Sequence, residues 1–254
     1  MAVAAFQRFR LSQELRRWRK AGRQARLWWR DDDARAATPA LNRLLAIAVR
    51  RSAPLTLAVI PDGDLESFAD WLEDGAVEVV QHGVDHRNRR AGPEAGEFPH
   101  DWSRKRLVAR LRTGWRRIAV LPGALPVFVP PWNDIHPELP TALEGGGYVG
   151  WSAWAGQGPQ GGPPRVDAHL DLLRWRGGPR FRGAGRLFMA LREALKTRRL
   201  AGDWQAPIGL LSHHLDHDPA AWRFLDWFLA WTAREPALLW LPLSRLLGAT
   251  RRAA

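Results

Sequence analysis

The chain has 254 residues, 46% of them hydrophobic, which suits one large domain or two small ones with a sizeable core. It contains no cysteine, which excludes disulfides, thiolate metal sites and a cysteine nucleophile. The formal charge of +12 comes almost wholly from arginine spread along the chain, with lysine only at 20, 105 and 196; this reads as compositional bias and argues against nucleic acid as the main partner.

No apolar run reaches the ~18 residues of a membrane span. The basic N-terminal stretch lacks the apolar core of a secretory signal, and a cytoplasmic protein is expected. Residues 1–26 read as a basic helical extension leading into the first strand, and 27–254 as the main domain. "RLWWR" (26–30) reads as a strand. A helix follows over 38–52, with Thr38 as N-cap and Pro39 at its first position. "LTLAVIP" (55–61) is a short buried strand, 64–74 a helix, and "VEVVQHG" (77–83) a strand. A long amphipathic helix spans 103–121, a strand 126–132, a helix stopped by glycines 136–147, and a strand 148–153. Ala155–Arg165 is a Gly/Pro-rich loop within the domain. A helix over 186–200, a strand over 207–214 and a helix over 218–235 follow, the last with Asp218 as N-cap and Pro219 behind it. A strand and a short helical turn over 237–247 close the pattern. Strands alternating with helices imply parallel βαβ units, and at this length a (β/α) barrel is the economical arrangement. An open doubly wound sheet is the alternative, weakened because no Gly-rich phosphate loop follows the first strand.

The polar clusters sit where strands end. Asp31, Asp32 and Asp33 follow the first strand, "HGVDH" (82–86) the third, "PPWND" (130–134) the fourth, and "SHHLDHD" (212–218) the strand near the C-terminus. In a β/α barrel these ends converge on one face, where active sites lie. His82 and His86, four apart, place two imidazoles on one side of a turn or tight loop. Two imidazoles and a carboxylate suit zinc or a similar divalent ion and leave positions open for water and substrate. One aspartate of the triplet would bind the metal and a second would serve as general base. The third is left to pair with Arg30 or another arginine, and the metal would offset the repulsion between the first two. One of His213 and His214 points into the barrel mouth and the other away, and the inward one is the candidate general acid. Most of the fifteen tryptophans suit core and helix packing, but those beside polar motifs, such as Trp132, Trp151, Trp154 and Trp175, also offer faces that stack on sugar rings or bases.

These residues resemble the polysaccharide deacetylase family, the NodB-homology domain of the family 4 carbohydrate esterases. "WRDDDA" is similar to the family's first motif, which implies Asp32 as base and Asp33 as metal ligand. Asp31 and Asp32 are the other register. His82 and His86 match the His-x3-His ligand pair, with Gly83 where many members carry a Ser or Thr that braces the second histidine. "VPPWN" keeps Pro131 and Trp132 of the third motif, but Val129 stands where the family has an arginine that orients the base, a role open to Arg30. Asp171 and Trp175 loosely match the fourth motif. Leu211 and His213 match the fifth, the leucine lining the acetyl pocket.

The resemblance spans about Trp29 to His213. It implies a distorted (β/α) barrel of about seven parallel strands, the NodB-type deacetylase fold. It also implies a hydrolase dependent on a divalent metal ion, with Zn2+ expected, that removes an N- or O-acetyl group from a carbohydrate. Asp32 would be the base and His213 the acid; Asp33, His82 and His86 would hold the metal; Pro131, Trp132, Asp171, Trp175 and Leu211 would bind substrate, with the Trp132 N–H facing the oxyanion. Two alternatives stand beside it: a metal-dependent hydrolase of another non-peptide C–N bond, and a catalytically degenerate barrel that binds an anionic polymer.

Overall fold

The computed structural model describes residues 2–71, 77–91 and 93–253. Its elements are, in order, α1 (Ala2–Lys20), β1 (Ala25–Ala34), α2 (Pro39–Arg51), β2 (Leu55–Val59), β3 (Val77–His82), α3 (Arg104–Ile118), β4 (Ala124–Val129), α4 (Leu139–Gly146), β5 (Gly150–Trp151), β6 (Ala168–Asp171), β7 (Leu173–Arg174), β8 (Arg180–Phe181), α5 (Ala184–Ala201), β9 (Ile208–Ser212), α6 (Pro219–Thr232), β10 (Leu238–Trp240) and α7 (Leu243–Ala253). The caps expected from sequence form. Thr38 accepts from Leu41 N at the start of α2, and Asp218 accepts from Ala221 N at the start of α6. The helix expected over 64–74 is a 3₁₀ turn at Glu66–Trp71, and residues 72–76 lie outside the described ones.

Seven parallel strands curl in the order β5-β4-β3-β2-β1-β9-β6. The two edges meet through isolated parallel bridges, Trp151 to Arg165 and Trp154 to Ala168. The result is a distorted (β/α) barrel, as the sequence implied, although its strands are not the same seven. The seventh strand expected from sequence, near 237–247, is the three-residue β10, which pairs only with the first residues of β1. The strand that completes the curl is β6, within an alternating apolar–polar run over Val166 to Leu172 that the sequence reading assigned to no element.

Strand alternation sorts the polar and apolar side chains into two layers. Trp28 of β1 packs with Ala58, Val80, Val127 and Val129 inside the barrel, where Leu246 and Leu247 of α7 join them. Glu78 holds this helix by accepting from Leu243 N and Ser244 N. Trp29 faces the other way, into the larger core shared with α1, α2, α5 and α6. Leu11, Leu15 and Trp18 of α1 are fully buried in that core, so α1 packs as one of the barrel's outer helices. No described helix is long and apolar enough to cross a membrane.

Candidate metal centre and cleft

The three aspartates of β1 have three different surroundings, and the two layers explain them. Asp31 follows Trp29 outward and is fully buried. It accepts from Ser212 Oγ at 2.5 Å and lies 2.5 Å from His214 Nδ1, while Trp29 Nε1 donates to the same serine at 2.8 Å. Burial opposes charge on both members of the Asp31–His214 pair. Their mutual attraction prevails, lowering the carboxyl pKa and raising the imidazole pKa.

Asp32 points inward with Arg30, two residues earlier on the same face. The fully buried Arg30 guanidinium grips it twice, Nε to Oδ1 at 2.8 Å and Nη2 to Oδ2 at 3.0 Å. Arg30 Nη1 also donates to Ser152 Oγ at 2.6 Å. One hydrogen bond and a second close ion-pair contact fix the orientation of the carboxylate.

Asp33 should by alternation turn outward again, and it does not. Its φ is +70°, and the β1–β2 register breaks between Asp31 and Ala34. This bulge re-aims the side chain toward the barrel mouth, at the cost of a left-handed backbone on a non-glycine residue. Asp33 Oδ1 then lies 3.0 Å from His82 Nε2 and 3.1 Å from His86 Nε2. Burial again opposes the charge. The hydrogen bonds from both histidines override it and hold the Asp33 carboxyl far below the usual carboxylate range.

The donor atoms of Asp33, His82 and His86 lie within 4.8 Å of one another. His82 Nδ1 donates to Val129 O at 3.1 Å, which leaves Nε2 as the atom that faces the cluster. Two imidazoles and one carboxylate around a common point, open on the cleft side, fit a divalent transition ion with free positions.

The loop that carries His86 is braced by a residue the sequence did not flag. Buried Glu97 accepts from Val84 N at 2.9 Å and from Asp85 N at 2.9 Å. Gly83 has φ +59°, and a Cβ there would collide with Glu97 Oε2 and Pro131 Cγ. The glycine thus makes room for a carboxylate that bonds the loop's backbone, the bracing that a Ser or Thr at that position would otherwise supply. Burial, together with the neighbouring Asp85 carboxylate, pushes the Glu97 pKa up to about 7.

A cleft of about 430 Å³ opens on this cluster. Asp32, Asp33, His82 and His86 form one wall, and Asp171, Trp175, Leu211 and His213 the other. Trp132 and Trp154 also line it, with Asn133, Gln157 and Arg182, which the sequence reading did not single out. Trp132 and Asn133 hold φ +54° and +55°, and the Trp132 ring lies 4.2 Å from that of His86.

On the far wall, Asp171 accepts from Leu173 N at 2.8 Å and from Trp175 Nε1 at 2.9 Å. Arg182 Nη2 reaches the same carboxylate at 3.4 Å. The His213 ring stands edge-on to Trp175 at 4.6 Å, while His214 turns away to Asp31. Two expectations need correction. Pro131 is buried against Gly83 behind the metal loop and does not line the cleft. Trp151 is fully buried in the core, so it offers no stacking wall.

No family model matches the sequence, and no curated protein matches it. The likeness is in the fold. A Mycobacterium smegmatis protein assigned as a polysaccharide deacetylase superposes with a TM-score of 0.64 at 16% identity, over 91% of this chain and 92% of that one. The PuuE allantoinase gives 0.61 at 14% identity over 91% of each chain. A family 4 carbohydrate esterase pseudoenzyme from Bacillus anthracis gives 0.57 at 15%, over 88% of this chain and 66% of its own. The chain therefore has the NodB-type deacetylase fold, which is shared by enzymes and at least one pseudoenzyme. Fold alone leaves the activity to be argued from the site.

Proposed function

We propose that this protein is a metal-dependent hydrolase that removes an N- or O-acetyl group from a carbohydrate. One observation carries the reading: a two-histidine, one-carboxylate cluster stands beside a second carboxylate, Asp32, that pairs with a buried arginine. Asp33, His82 and His86 would hold a divalent ion, with Zn2+ expected. Such an ion would supply Lewis-acid chemistry to the acyl carbonyl and the attacking water.

The chain's own residues do the rest. Asp32 takes the proton of the attacking water. Arg30 keeps that carboxylate aimed, replacing from β1 the arginine that Val129 displaces on β4. His213 gives its proton to the departing nitrogen or oxygen from the opposite wall. The Trp132 N–H meets the developing oxyanion. Trp132, Trp154 and Trp175 offer faces and edges to a sugar ring, with Leu211 against the acyl methyl.

The test is elemental analysis of the purified protein and of a His82→Ala, His86→Ala double variant, followed by acetate release from N-acetylated chitooligosaccharides. We expect about one equivalent of divalent metal in the wild type, lost in the variant together with acetate release. Asp32→Asn should keep the metal and lose the activity. A wild type that takes up no metal after reconstitution with zinc would overturn the reading. Metal without acetate release, but with turnover of a cyclic amide, would move it to another non-peptide C–N bond.

A further inference from the structure

Helix α1 buries one stripe and leaves the opposite one bare. Phe6 and Phe9 precede the buried Leu15 and Trp18 by nine residues each, two and a half turns, so they face away from the core. Val3, Phe6 and Phe9 are 71%, 56% and 58% exposed. Further along the helix the exposed residues turn basic, with Arg10, Arg16, Arg17 and Lys20. The helix thus has an apolar tip and a basic shaft.

The other side of the same turns packs on the barrel. Ala4 lies against Gly185 at the start of α5, and Arg8 stands over the rings of Trp227 and Trp231 of α6 at 5.2 and 5.8 Å. Beside Trp227 runs an apolar groove of about 370 Å³ floored by Ala184 and Phe224. The tip also lies at the cleft end of the barrel. Helix α5 begins two residues after Arg182, which lines the cleft. Helix α1 runs parallel to it, with Ala4 at the α5 start and Glu14 paired to Arg199 near its end.

We propose that this face docks on an anionic lipid surface, with Phe6 and Phe9 entering among the headgroups and the arginines behind them meeting the phosphates. The order along the helix fits a bilayer edge, where an apolar layer lies beneath an anionic one. The net charge of +12 opposes burying the same face against a second copy of the chain. A nucleic acid would match the arginines, Arg10 over the Phe6 ring among them, but the exposed side chains of Val3, Phe6 and Phe9 are better matched by hydrocarbon. The inference does not rest on the hydrolase reading.

The experiment is flotation of the full chain with vesicles of phosphatidylcholine mixed with phosphatidylglycerol, against phosphatidylcholine alone. We expect binding to the mixed vesicles and little to the neutral ones. Phe6→Ser with Phe9→Ser should lower the partition coefficient by about tenfold or more, since the two rings supply the apolar part of the contact. The melting temperature should not move, because both rings lie outside the core. Failure to float with anionic vesicles would overturn the proposal, as would equal binding by the variant, which would mean that charge alone is at work. Sedimentation showing a dimer that the same variant abolishes, or retention on a DNA duplex that the variant weakens, would assign the face to another partner and overturn it too.

Discussion

The two walls of the cleft are held in different ways. On the β1–β3–β4 wall every functional side chain is clamped: Asp32 by Arg30, Asp33 between two imidazoles, His82 by Val129 O, and the His86 loop by Glu97. Left-handed backbone at Asp33 and His86 accompanies that arrangement. On the β6–β9 wall, His213 has its principal contact in the Trp175 ring, and the nearby Asp171 bonds Trp175 and Arg182. Behind that wall the Asp31–His214 pair fixes the end of β9 to β1, so the backbone is tied down while the His213 imidazole is not. A metal and a base need fixed geometry before substrate arrives. A proton donor to a leaving group can be completed by the substrate itself, since catalytic hydrogen bonds often tighten only in the complex.

The sharpest way to break that comparison is to remove a clamp from the first wall. Arg30→Met leaves Asp32 as a buried carboxylate without its partner. Breaking a buried pair costs about 3–5 kcal/mol, and the expected readout is a loss of that size in urea unfolding. Acetate release should fall at least about 100-fold, beyond what destabilisation explains, because the base is no longer aimed. Bound metal should persist. If Arg30→Met is neutral in both assays, Arg30 does not replace the arginine missing at Val129, and Asp32 is held by something else.

A smaller effect is expected at Gly83, and its direction is informative. Restoring the family's usual residue there, Gly83→Ser, should harm this protein. The side chain would meet Glu97 and Pro131 on a left-handed backbone, at a cost of roughly 1–3 kcal/mol. The displaced His86 should weaken metal binding by about 10–100-fold, read by competition with a chelator. Tighter metal binding in Gly83→Ser would show that Glu97 is not the brace of this loop.

The sequence made the first wall legible because its motifs are contiguous: an aspartate run, a His-x3-His pair and a Pro-Trp dipeptide each end a strand. Alternation also told correctly that His213 and His214 would part. It could not place Asp33. A strict period of two sends Asp33 outward with Asp31, and only the bulge, which leaves no mark in residue type, turns it back. Glu97 was equally hidden, lying 14 positions from Gly83 in a loop whose path no periodicity describes. The signal that was available, a glycine where a bracing hydroxyl was expected, pointed to a gap and not to what fills it. Strand β6 escaped for a different reason. Its alternation over Val166 to Leu172 was present in the sequence, but the strand is only four residues long and follows a Gly/Pro-rich loop, which obscured it.

The gentlest change tests the second wall. Trp175→Phe keeps an aromatic ring beside His213 and removes only the indole N–H that Asp171 accepts at 2.9 Å. Asp171 retains Leu173 N and Arg182, so no buried carboxylate is abandoned. A single neutral-donor hydrogen bond is worth about 0.5–1.5 kcal/mol, which sets the expected loss in kcat/KM at roughly 2–10-fold. Metal content should stay at the wild-type value, and the melting temperature should fall by only a few degrees. The loss should fall on KM more than on kcat if Trp175 serves the sugar, and on kcat if it holds His213 in place. A loss as deep as that of Arg30→Met would mean that the acid wall is as tightly constrained as the metal wall. The contrast between the two would then reflect only how many polar contacts each shows, and not how much each contact matters.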